Sequence, residues 1–120
     1  MEKEFVPYEF SFKLKALGFD EPCFGYYDVD EGYSIGYAFC YSDRESQPEI
    51  GCSAPLYQQA FRWFRERYEK YSTIEGSKMF GFQYFIYEYN YEIKSEETFK
   101  TYEEAEIACL DKLIEIVESE

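Results

Sequence analysis

The groups in this chain able to do chemistry are carboxylates and thiols. None of the 120 residues is histidine, so the side chain that most often serves as a general base near neutral pH is absent. Asp28, Asp30 and Glu31 crowd one short stretch, and grouped oxygen ligands of this kind suit calcium or magnesium. Their order does not follow an EF-hand loop and charged hairpin tips are ordinarily solvated, so neither a metal nor a cofactor is expected. Cys23, Cys40, Cys52 and Cys109 form no C-x-x-C pair. Zinc sites need Cys or His at short spacing, and a cysteine nucleophile needs a base beside it. The four cysteines therefore read as small apolar core residues. Ser53 lacks the G-x-S-x-G frame of a nucleophile elbow, and Gly51, Gly76 and Gly81 stand apart rather than in a phosphate-binding loop. The expectation is a protein that is not an enzyme.

Charge narrows the choice of partner. The formal net charge is −13, unevenly spread: residues 54–78 hold five basic against three acidic side chains, while 21–53 and 101–120 each hold one against seven. A basic strip on an acidic body repels a phosphate backbone, so no direct nucleic-acid binding is expected. The aromatic run from Phe82 to Ile93 has the spacing of a base-stacking platform, but the residues between its rings are Glu88, Asn90 and Glu92 rather than Lys or Arg. A host protein or a second copy of the chain is the better partner, although acidity also serves simply to keep a tyrosine-rich surface soluble. Met1-Glu-Lys-Glu4 lacks the apolar region of a signal peptide, and no apolar run approaches the roughly 20 residues of a membrane span. No membrane association, a cytoplasmic location and reduced thiols are expected.

The clearest helical period lies in Ala54–Tyr71, where Phe61, Phe64, Tyr68 and Tyr71 recur at three and four residues and Tyr57 and Ala60 extend the stripe. Pro55 suits the first helical position. Arg62 with Glu66 and Arg65 with Glu69 are spaced for ion pairs, and Arg67 and Lys70 fall where cations favour the helix dipole. Trp63 lies beside the stripe, placed to pack at its margin or to anchor a partner. A first helix is expected over about 7–17, ended by Gly18, with Phe19 making the contact that follows a glycine stop. A last helix over about 102–118 opens on the capping box Thr101-Tyr-Glu-Glu104. Its apolar arc includes Cys109, Leu113 and Ile116, and Ile107 and Ile114 widen it enough to serve the core or another subunit. Between the helices, Cys23–Asp28 and the alternating Tyr33–Tyr41 read as strands joined at Asp30-Glu-Gly32. Phe82–Lys94 reads as one long strand, with a short partner at Thr98–Lys100. Ser42–Ser53 and Ser72–Gly81 read as loops.

Three segments carry a resemblance: Phe19-Asp-Glu-Pro-Cys-Phe-Gly-Tyr-Tyr27, Ala54-Pro-Leu-Tyr-Gln-Gln-Ala-Phe-Arg-Trp-Phe-Arg-Glu66 and Thr101-Tyr-Glu-Glu-Ala-Glu-Ile-Ala-Cys-Leu-Asp-Lys-Leu-Ile114. With them the chain resembles, from about residue 5 to 118, a family of small uncharacterised proteins from phages and mobile elements of gut Bacteroides-like bacteria. That resemblance implies a genomic setting and assigns no residue a role.

The expected fold is a single α+β domain over 1–120, with 1–4 a charged tail. It comprises a small antiparallel sheet of three to four strands with helices packed on one face, in the order α-β-β-α-β-(β)-α. The expected function is that of a non-enzymatic cytoplasmic protein-binding accessory protein, monomeric or homodimeric. Trp63, Arg62, Arg65, Ile107 and Ile114 are its candidate partner-binding residues. The alternatives are an acidic nucleic-acid mimic, a homodimeric scaffold built on Ile107 and Ile114, and a carboxylate-based enzyme.

Overall fold

The computed structural model describes residues 4–21, 23–28, 34–40 and 52–120, and at 24, 28, 34–40, 52 and 53 it describes the backbone. The chain divides into two compact units, Met1–Ala60 and Phe61–Glu120, and the boundary falls inside a helix.

In the first unit, helix α1 (Tyr8–Ala16) precedes strands β1 (Cys23–Asp28), β2 (Ser34–Cys40) and β3 (Cys52–Ala54). The strands pair antiparallel in the order β2-β1-β3, with Gly25 opposite both Tyr37 and Ala54. Helix α2 (Tyr57–Tyr68) follows and runs across the boundary at Ala60. Pro7 stands just before α1, where its missing N–H leaves no donor to satisfy. The helix ends in a Schellman turn: Gly18 has φ +103, Phe19 N–H donates to Leu14 O at 3.0 Å, and Gly18 N–H donates to Lys15 O at 3.0 Å. Leu14 and Phe19 are both buried. The backbone of Val6 ties the unit together. Its N–H donates to Pro55 O at 2.8 Å, and its carbonyl accepts from Ser11 Oγ at 3.0 Å and from Tyr27 Oη at 2.7 Å. Tyr27 thereby buries its ring with its hydroxyl satisfied, edge-on to Tyr8 with centroids 5.6 Å apart.

In the second unit, β4 (Tyr71–Ser77), β5 (Gly81–Glu88) and β6 (Tyr91–Lys94) form an antiparallel sheet in that order, and α3 (Tyr102–Glu118) packs on β5 and β4. The register places Ser72 opposite Ile86, Ile74 opposite Tyr84, and Ile86 opposite Ile93. These residues and Phe82 share the face that meets α3, where Phe82 lies edge-on to Tyr102 at 6.1 Å. Helix α3 buries Ala105, Cys109, Leu110, Leu113, Ile114 and Val117. Its larger aliphatic side chains are each worth about 1.5–3 kcal/mol. Thr101 Oγ1 accepts from Glu104 N–H at 3.1 Å, as the capping pattern predicts.

The α+β class, the antiparallel pairing and the three helices match expectation, and the short partner at Phe99 is a bridge to Phe82. The strands differ in number: among the described residues six strands form two three-stranded sheets in place of one sheet. Tyr71–Ser77 has little apolar period of its own, and pairing with β5 decides its conformation. Phe82–Lys94 is a hairpin rather than one strand. Asn90 takes φ +61, a conformation asparagine tolerates, and reverses the chain after Tyr89. Helix α2 begins two residues after Pro55 because Leu56 is bridged to Phe5. The loop Asp30-Glu-Gly32, the connection 42–51, the tail residues 1–3 and the side-chain alternation along β2 lie outside the described residues.

A Cβ at Gly18 would meet no atom within 4 Å, so the positive φ alone penalises a side chain there. Gly18→Ala is expected to lower stability by about 1–2 kcal/mol in urea unfolding, and an unchanged midpoint would show that the turn relaxes.

Candidate functional site

Tyr68, Glu69, Lys70, Tyr71, Tyr87, Glu88 and Tyr89 line an open cleft of about 480 Å³ in the second unit. Backbone geometry assembles it. Helix α2 stops because Glu69 takes a left-handed φ of +55. Glu69 N–H still donates to Arg65 O at 3.1 Å, and Lys70 N–H turns back to Phe64 O at 3.2 Å. The reversal starts β4 at Tyr71, which the register sets opposite Tyr87, so both rings leave the same face of the sheet. That face is opposite to the one under α3 and also carries Phe85, stacked near-parallel on Tyr87 with centroids 6.5 Å apart. Tyr89 occupies the hairpin turn. It is 93% exposed and Tyr71 is 53% exposed, whereas Tyr68 and Tyr87 are half-buried.

At the same end of the sheet, on the side of α3, lies an ion cluster. The Lys70 side chain is only 6% exposed, with Nζ 2.8 Å from Glu120 Oε2 and 3.0 Å from Glu88 Oε1. Burial pulls the lysine pKa down. The hydrogen bond to Glu120 and the Glu88 carboxylate paired at 3.0 Å outweigh that pull and hold it above the ordinary value. The trio carries a net negative charge, and Glu69 on the rim adds another.

A second group of titratable side chains lies along α3. Burial pushes the Glu106 carboxyl up to about 7, and the charge of Glu103 adds to the shift. Burial raises the Cys109 thiol to about 12 despite a hydrogen bond with Ser72, and the charge of Glu106 adds to the rise. Cys109 is thus a neutral thiol at physiological pH rather than a nucleophile. Tyr84 and Tyr102 are also raised, chiefly by burial.

The residues singled out from sequence do not meet in one place. Trp63 is buried, edge-on to Phe64 at 5.1 Å and to Tyr68 at 5.4 Å, so it is a packing residue inside the apolar stripe and not an exposed anchor. Ile114 is buried in the α3 core while Ile107 is exposed, so the two share no surface. Arg62 and Arg65 are exposed, and Arg62 pairs with Glu66 at 4.0 Å. Among the ion pairs of the described residues, none joins Arg65 to Glu69, whose backbone has left the helix. The Asp30-Glu31 cluster, with the side chain of Asp28, lies outside the described residues. Among the described residues no group of three or more His, Cys, Asp or Glu is placed to hold a metal, and no helix is long and apolar enough to cross a membrane.

The cleft residues were absent from the sequence-derived set. Tyr68, Lys70 and Tyr71 fit a continuing helix, and Tyr89 fits a continuing strand. Asn90, between two tyrosines, was the available sign of a turn. Phenols, carboxylates and one paired ammonium make a surface that stacks, accepts hydrogen bonds and attracts cations. No protein-family model, curated protein or solved structure matches the chain.

Lys70→Met would leave the Glu88 carboxylate without its counter-charge and is expected to cost about 2–4 kcal/mol in urea unfolding. Glu120→Gln, at a half-exposed partner, is expected to cost less than about 1 kcal/mol. For Glu106 the folded state binds the proton more tightly than the unfolded chain. Its contribution is therefore fully present below the ordinary glutamate range and is lost as pH rises through about 7. Glu106→Gln should accordingly raise stability at pH 8 by about 1–3 kcal/mol, allowing for partial solvation, and leave it little changed at pH 4. Equal effects at both pH values would contradict the assignment.

Proposed function

We propose that this chain is a non-enzymatic, cytoplasmic binding protein that takes a segment of a partner protein into the tyrosine-lined cleft. One observation carries the reading: two strongly exposed tyrosines, Tyr71 and Tyr89, flank two half-buried ones over an open cavity. Rings that contribute nothing to the core in the free protein offer a partner a large apolar area with a hydrogen-bonding tip. The backbone supports the same site. Glu69 and Asn90, the non-glycine residues with left-handed φ among those described, fall at the cleft rim and beside Tyr89. Each costs free energy in the isolated chain. The buried free thiols Cys23 and Cys109 support a reducing compartment. In the setting of a phage or mobile element, the partner is a host protein. A homodimeric scaffold built on Ile107 and Ile114 loses its basis because Ile114 is buried.

The test is affinity capture with three baits: the wild-type chain, Tyr71→Ser/Tyr89→Ser at the cleft, and Met79→Ser/Phe80→Ser at the equally exposed tip of the β4–β5 hairpin. A partner held at micromolar bait by the wild type and the tip variant, and lost by the cleft variant, is the expected result. Recovery of no partner, or of one indifferent to the cleft substitutions, contradicts the reading.

A further inference from the structure

The character of the cleft points to the kind of side chain it receives. We propose that the cleft binds a lysine or arginine side chain from a basic segment of a partner protein, held over the faces of Tyr71, Tyr87 and Tyr89 and drawn in by Glu69 and Glu92. This rests on the reading of the cleft as a partner-binding site.

Three observations carry it. The first is the arrangement of the rings. Tyr71 and Tyr87 are cross-strand neighbours on one sheet face, and Tyr89 follows at the turn that closes the same edge of the cavity. An aromatic face presents negative potential, and several such faces around one cavity make a receptor for ammonium or guanidinium. The second is charge. Glu69 and Glu88 line the cleft, and Glu92 stands opposite Tyr87 on β6 and projects from the same face. The one lining cation, Lys70, is offset by Glu88 and Glu120, both within 3.0 Å of its ammonium, so the trio stays net negative and the attraction at the mouth falls to Glu69 and Glu92. The whole chain, at −13, reinforces the sign. The third is that this face already holds a cation in the same way: Lys94 Nζ lies 5.9 Å from the centroid of Phe85, the ring stacked on Tyr87. A volume of about 480 Å³ accommodates a long side chain with adjoining backbone. The openness of the cleft to solvent suits a side chain delivered on a peptide.

The experiment titrates the intact protein with fluorescent peptides of one neutral Gly/Ser framework. The central residue is lysine, trimethyllysine, arginine, norleucine or glutamate, and free choline is a separate competitor. Lysine, arginine and trimethyllysine peptides should bind about tenfold or more tighter than norleucine. Their affinity should fall with added salt, fall several-fold in Glu69→Gln, and be lost in Tyr89→Ser, whose exposed position leaves folding intact. Equal or tighter binding of the norleucine or glutamate peptide, abolished by Tyr89→Ser, overturns the cationic occupant while leaving a partner-binding cleft. Choline competing as strongly as the peptides assigns the cleft to a small quaternary amine and also overturns the proposal. Binding of none of these probes removes both the cationic occupant and the cleft as a binding site.

Discussion

The second unit is organised by one buried ammonium. Lys70 follows directly on a helix that has been forced to stop, and its side chain reaches the last residue of β5 and the last residue of the chain. A lysine whose side chain is 6% exposed gives up much of its hydration, which by itself favours the neutral amine. Two carboxylates within hydrogen-bonding distance hold it charged. Such clusters add little to stability compared with a well-packed apolar equivalent. What this one does is select: the charge is satisfied only when the ends of α2, β5 and α3 converge. The left-handed Glu69 is the cost of that convergence, since it takes the chain out of the helix and into β4.

The tyrosines follow from the same constraint. Aromatic residues are 22% of the sequence, too many for a chain of this size to bury in full. In the first unit Tyr27 goes inside because Val6 offers a carbonyl for its hydroxyl. In the second, Tyr84 and Phe82 go under α3, while the opposite face of the sheet keeps Tyr71, Phe85 and Tyr87 partly in water. Stopping the helix at Glu69 delivers Tyr71 to the first position of a strand, beside Tyr87. Stopping the strand at Asn90 leaves Tyr89 outside. Two short-range backbone choices thus convert what would be core aromatics into the wall of a cleft.

Much of the architecture was legible in the sequence, because helix ends and alternation are local signals. Gly18 with Phe19 marks the end of α1, Thr101 with Glu104 the start of α3, and Cys23–Asp28 a strand with the bounds observed. The cleft was not legible, because its making is non-local. The period Phe61, Phe64, Tyr68 continues into Tyr71 as well as any helix does, and nothing in the local pattern says that Lys70 will find Glu88 and Glu120, 18 and 50 positions away. Trp63 was set beside the stripe on spacing alone, and its contacts with Phe64 and Tyr68 bring it in. Ile107 and Ile114 lie on one broad arc of α3, of which the sheet covers only part. β4 is illegible for the same reason: its strand character resides in its partner.

The central claim is that the Lys70–Glu88 contact couples the end of α2 to the end of β5. A double-mutant cycle measures that coupling directly, with urea unfolding of the wild type, Lys70→Met, Glu88→Gln and the double variant under one buffer condition. The predicted result is a coupling free energy of about 1–3 kcal/mol, the double variant losing less stability than the two single variants together. Losses that simply add would mean that the two charges act independently and that the convergence has another cause.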